Sequence, residues 1–111
     1  MTARAPKAAR GVIAICAISL ASLAWGAESR IHVIDVDGLA FGPASEVLHV
    51  NDIVEWVNQD MFRHTVTASD GSFDIDLPTG GKGRTTLRQA GVVSYFCRFH
   101  PGMKDRLEVA P

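Results

Sequence analysis

Cysteine is scarce in this sequence: only Cys16 and Cys97 occur. No Cys-x-x-Cys-His is present, which excludes covalent haem attachment. No apolar run reaches the about 20 residues that cross a bilayer comfortably. No long apolar stripe of helical period appears after residue 30, and there is no repeat, low-complexity tract or internal linker. Thr79-Gly80-Gly81-Lys82-Gly83 lacks the spacing of a phosphate loop and opens no helix, so it reads as a hairpin loop. Excess positive charge is missing too: 11 basic residues face 12 acidic ones.

The start of the chain differs from the rest. Met1 to Arg10 carries Arg4, Lys7 and Arg10 and no acid, and Gly11 to Ala24 is apolar or small without a charge. A basic start, a short apolar stretch and small residues near Ala24 to Ala27 make a secretory signal peptide. Residues 1–26 are therefore expected to be a leader cleaved near residues 24–27, and residues 27–111 a single exported, periplasmic domain. An N-terminal anchor helix that stays attached is the alternative. Cys16 leaves with the leader. So do three basic residues and no acid, which leaves 8 basic against 12 acidic side chains, a net of −4. That balance argues against a nucleic-acid partner. No stable membrane insertion is expected after cleavage, and a monomer is expected. A domain of roughly 85 residues gains only modest stability from its core, and a bound metal would add to it. Cys97 then has no disulfide partner within the chain. It is buried and inert, paired with another molecule, or bound to metal.

Short strand signals follow one another. They cover Ile31 to Val36, Glu46 to Val50, Ile53 to Val57, His64 to Thr67, Arg84 to Leu87, Val92 to Cys97 and Arg106 to Val109. Asn51-Asp52 and Ser69-Asp70-Gly71 read as turns between them. Many short strands at near-regular spacing indicate an all-β sandwich. Alternation in Val92 to Cys97 puts Val93, Tyr95 and Cys97 on one face, taken as inward. Cys97 thus ends a strand.

The stretch after that strand offers a thiol at Cys97, an imidazole at His100 and a thioether at Met103, three residues apart. A second imidazole is available at His64. A lone Cys is most often a small buried hydrophobe, and a Met near a His most often fills core. The conjunction is what carries weight. Two His and one Cys with a weak axial Met form the ligand set of an electron-transfer copper centre. The thiolate binds copper in both oxidation states, the imidazoles keep the cupric form stable, and a distant thioether favours the cuprous form. No free carboxylate beside the ligands and no open position are evident, which argues against substrate binding at the metal, and no enzyme is expected. A Cys97–His100 nucleophile pair lacks an orienting third group. His32 and His49 sit in strands without a donor cluster and read as satisfied surface or edge histidines. Met61 is a weaker rival to Met103.

With these residues in place, the sequence resembles the cupredoxins, and most closely their small amicyanin- and plastocyanin-like bacterial members. The resemblance runs through Phe41-Gly42-Pro43, Val50 to Asp60, His64-Thr65-Val66, Gly71 to Asp74 and Gly91 to Cys97. Two residues between His100 and Met103 give the last loop an amicyanin-like length. It implies a Greek-key β-sandwich with one copper ion at one end, held by His64, Cys97, His100 and Met103, and an electron port at the edge of His100. Two positions depart from the pattern. Thr65 stands where many members have an Asn that ties the two ligand loops, a task a hydroxyl can also perform. Arg98 and Phe99 occupy positions where a Pro is common, and Arg98 brings a cation close to the metal.

The implied function is one-electron transfer between exported redox proteins, a donor and an acceptor. Copper carriage or storage is the rival. Phe99, Pro101 and Gly102 would form an apolar surface around the port. Arg63, Arg98, Lys104 and Arg106 would form a basic rim, with most acids elsewhere, steering the protein to an acidic patch on its partner.

Overall fold

The structure, a computed structural model, describes residues 2–5, 11, 13–15, 28–44 and 46–111. The leader falls largely outside the described residues, and its cleavage region and Cys16 wholly so. Among the described residues no helix is long and apolar enough to cross a membrane.

Nine strands are present among the described residues: β1 Ile31–Asp37, β2 Ala40–Phe41, β3 Leu48–His49, β4 Ile53–Asn58, β5 His64–Ala68, β6 Asp74–Leu77, β7 Lys82–Thr86, β8 Gly91–Phe96 and β9 Lys104–Ala110. They form two sheets, in the orders β2-β1-β4-β7 and β3-β9-β8-β5-β6. The expected all-β sandwich is thus observed. β1 lies parallel to β4, with Ile31 opposite Ile53 and Val36 opposite Asn58. β8 and β9 pair antiparallel from Gly91–Val109 to Phe96–Lys104.

Period-two patterning explains which faces meet. In β1, Asp35 and Asp37 face water, so His32, Ile34 and Val36 must turn inward. The expectation of a surface or edge histidine therefore fails at His32, which is only 3% exposed. Its Nε2 lies 2.8 Å from Asp52 Oδ2, and that carboxylate makes the burial tolerable. His49 does remain exposed, at the short edge strand β3.

Two further expectations need adjustment, and two strands went unread. The strand expected over Glu46 to Val50 shrinks to Leu48–His49, because Asn51 takes a left-handed turn with φ 77° and Asp52 N–H donates to His49 O. β2, with two residues, is too short to be read from sequence, and β6 is half acidic. β6 alternates acids with Ile75 and Leu77, as suits an edge strand that must resist pairing with other chains. Finally, the loop before Gly83 is no hairpin: β6 and β7 belong to different sheets, and the chain crosses between them. Gly83 permits that crossing, since a Cβ there would collide with the Ile75 side chain.

The core is aromatic at its centre. Trp56 and Tyr95 meet edge to face at 5.5 Å, Phe41 meets Tyr95 at 4.8 Å, and Phe73 packs on Trp56. Burial, with the Asp105 carboxylate adding to it, pushes the Tyr95 phenol up to about 12, so it stays neutral. Val36, Val54, Val66, Leu77 and Leu107 fill the space around this cluster. One end of the packed sandwich carries the loop after β4 and the loop after β8.

Candidate metal centre

Two loops bring the ligand candidates together. Buried Asn58 ends β4 and anchors the first loop: its Nδ2 donates to the carbonyls of Phe62 and Leu77, and its Oδ1 accepts the Asp60 N–H. His64 follows as the first residue of β5. The second loop leaves β8 at Cys97, whose N–H donates to Met103 O at 3.0 Å, while Met103 N–H donates to His100 O at 2.8 Å. Seven residues are thereby folded into one tight turn, with Cys97 and Met103 both buried. Cys97 is on the inward face with Val93 and Tyr95, as its alternation requires.

The Nδ1 atoms of His64 and His100 each lie 3.7 Å from Cys97 Sγ. These three donor atoms fall within 4.8 Å of one another, and no other such cluster of His, Cys, Asp or Glu occurs among the described residues. A metal bonded at about 2.0–2.1 Å to nitrogen and about 2.3 Å to sulfur, with angles near 120°, would set N···S separations of about 3.7–3.8 Å. The observed spacing fits such an ion. Met103, whose carbonyl accepts the Cys97 N–H, is buried at 4% exposure, whereas Met61 is 85% exposed. His64 is wholly buried and His100 half-buried.

The surroundings prepare the donors. His64 Nε2 is 2.8 Å from Asp60 Oδ2; as the Nε2–H donates there, Nδ1 is left with a free lone pair toward Cys97. The Asp60 carboxylate also accepts the N–H groups of Gly38 and Leu39, at 2.7 and 2.9 Å. Both residues have positive φ in the tight β1–β2 turn, so both N–H groups point the same way. Burial works to raise the Asp60 carboxyl, but the Leu39 N–H, the His64 ring and the Gly38 N–H outweigh it and hold it below the ordinary value. A carboxylate therefore does stand beside a ligand, contrary to expectation. It is on the far side of the ring, with its acceptor sites in use, and leaves the donor side clear. Sequence offered one signal for it, the i, i+4 spacing of Asp60 and His64.

Cys97 is prepared as a thiolate. Burial opposes ionisation, yet the Thr65 N–H, the two imidazoles and the Phe99 N–H lower the thiol to about 6. The Thr65 N–H lies 3.4 Å from the sulfur. Thr65 Oγ1 accepts the Arg98 N–H at 2.9 Å, so this hydroxyl does tie the two loops together.

The outer rim is less basic than expected. Arg63 pairs with Asp76 at 3.5 Å, Arg98 with Asp74 at 3.4 Å and Asp76 at 3.7 Å, and Arg106 with Glu108 at 3.2 Å. The acids do not fall elsewhere, because β6 places Asp74 and Asp76 beside both arginines. Apolar groups dominate what remains near His100: Phe62 lies 6.2 Å from its ring, and Met61, Phe62 and Phe99 are exposed.

Two sheets in this strand order, with a His–Cys–His group on the loops at one end, define the cupredoxin fold. Among the solved structures to which the chain is similar are amicyanins. The amicyanin of Paracoccus versutus is 21% identical over 76% of this chain and 83% of its own, with a TM-score of 0.60. An oxidized amicyanin variant is 23% identical over 70% and 80% of the two chains, at 0.59. The Cu(I) form of another variant is 25% identical over 76% and 85%, at 0.58. No protein-family model matches the chain, and no curated relative does.

Proposed function

We propose that this protein is a type 1 copper protein that carries single electrons between exported redox proteins, and is not an enzyme. The observation that carries the reading is the pair of 3.7 Å approaches from His64 Nδ1 and His100 Nδ1 to the buried Cys97 sulfur. Copper, cycling between cuprous and cupric forms, supplies the one-electron chemistry. His64, Cys97 and His100 would hold it, with Met103 as a weak thioether donor. The chain's own contribution is to keep these groups still. Asp60 fixes the His64 ring, Thr65 joins the two loops, and Met103 and Cys97 close the second loop through their backbones. Little then moves when an electron arrives or leaves, which keeps transfer fast.

His100 is the port, as the ligand of the three that reaches solvent. Phe62, Met61, Phe99 and Pro101 surround it as the docking face. With Arg63 and Arg98 tied to β6 acids, docking is driven by apolar contact, and Lys104 adds a local positive charge. The leader reading supplies the exported, periplasmic location. Binding of cupric ion to the purified chain tests the proposal. A strong thiolate-to-copper band and reversible one-electron voltammetry are expected. Tight cuprous binding without a stable blue form would instead make it a copper-delivery protein.

A further inference from the structure

One hydrogen-bond chain runs from the protein edge to the metal site and is not needed to hold any ligand directly. It begins at Asp74 on the edge strand β6. Asp74 Oδ1 accepts the Thr67 hydroxyl at 2.8 Å. Thr67 Oγ1 is 2.9 Å from Thr65 Oγ1, and Thr65 Oγ1 accepts the Arg98 N–H at 2.9 Å. The Arg98 guanidinium then returns to Asp74 Oδ1 at 3.4 Å, closing a ring.

An ionised carboxylate only accepts, so it fixes the direction of every bond in this chain. Thr67 spends its one proton on Asp74 and must accept from Thr65. Thr65 spends its proton on Thr67, and its lone pairs are free for the Arg98 N–H. Bonds aligned in this way polarise one another. Thr65 is fully buried and also presents its own N–H to Cys97 Sγ at 3.4 Å. Fixing Thr65 therefore fixes a hydrogen bond to the sulfur, and such bonds tune the potential of a copper–thiolate site.

We infer that Asp74 is a remote positioning residue, acting through Thr67 and Thr65 to orient the hydrogen bond received by the Cys97 sulfur. Its potential readout rests on the copper reading above; its amide readout does not. The Arg98–Asp74 ion pair is half exposed and contributes little energy. Its role is direction.

Thr67→Val removes the relay hydroxyl at constant shape and charge. A weaker bond to sulfur disfavours the electron-rich reduced form, so the midpoint potential of the copper-loaded variant falls and its visible band moves. Thr67→Ser restores both. In the metal-free protein, the Arg98 amide exchanges with solvent severalfold faster in Thr67→Val and Asp74→Ala than in wild type, and unchanged in Arg63→Gln. A wild type with no blue band defeats the copper reading, and the amide exchange then still decides the ring. Wild-type exchange at Arg98 in both ring variants, or an unshifted potential in Thr67→Val, would overturn the inference.

Discussion

Each end of the sandwich buries a histidine against an aspartate, built to the same plan. At one end His64 Nε2 meets Asp60 at 2.8 Å, and Asp60 also collects the N–H groups of Gly38 and Leu39. At the other, His32 Nε2 meets Asp52 at 2.8 Å, and Asp52 also collects the N–H groups of Arg30 and His49. Both carboxylates lie next to β4, one before it and one after. What differs is the company. A thiol and a second imidazole stand beside His64, whereas the His49 ring comes only within 3.9 Å of Asp52 Oδ2, and His32, Asp52 and His49 do not converge as a ligand group among the described residues. A buried His–Asp pair is thus a staple by itself and becomes part of a metal centre only when a soft donor converges on the other ring nitrogen.

Substitutions can separate the two ends. The largest effect is expected at Cys97→Ser: the visible band of the copper-loaded protein disappears, because the thiolate is the chromophore, while circular dichroism of the metal-free sandwich is retained. Next comes Asp52→Ala. It leaves buried His32 and two backbone N–H groups without their acceptor and lowers the unfolding free energy by about 3 kcal/mol, measured by urea denaturation of the metal-free chain. The optical band of its loaded form is unchanged; a lost band would mean that the ends are not independent. Asp60→Ala acts the other way. Freed from its orienting partner, His64 binds less well, and copper affinity drops about 10- to 100-fold in a competition titration. Met103→Leu is milder still: copper is retained and the midpoint potential rises. A metal-free Met103→Leu protein would show that the thioether holds the ion and does not merely tune it.

The smallest effect is one of pH. Burial would raise the Asp52 carboxyl, but the His32 ring and the N–H groups of Arg30 and His49 hold it below the ordinary 3.8. A depressed folded value stabilises the protein above the unfolded value, and that stability is lost as pH falls through the folded one. Metal-free wild type therefore loses stability on acidification below about pH 4. Asp52→Asn, which cannot titrate, shows a shallower acid limb in stability against pH. Parallel limbs would remove Asp52 from the account.

Much of the metal end was legible in the sequence because it is local. Cys97, His100 and Met103 sit in one loop, and the alternation of Val93, Tyr95 and Cys97 fixes which way the thiol points. The joining role of the Thr65 hydroxyl could also be anticipated from the resemblance, which has a loop-tying Asn at that position. The supporting groups were not legible, because they are long-range pairings. Asp52 reaches across 20 residues to His32, and Asp60 across 22 to Gly38. Such contacts depend on the parallel register of β1 and β4, which no local pattern reveals. The acids beside Arg63 and Arg98 were hidden for a related reason: β6 is too short and acidic to read as a strand, so its place at the sheet edge could not be seen. The inward turn of His32 did have a signal in Asp35 and Asp37, whose outward parity forces it.

X-ray absorption at the copper edge of the loaded protein tests the central claim most directly. One sulfur and two imidazole nitrogens at short bonding distance, around one copper per chain, are the predicted first coordination sphere. A copper bound without a short sulfur scatterer, or with one imidazole only, would contradict the convergence of His64, Cys97 and His100 on a single ion.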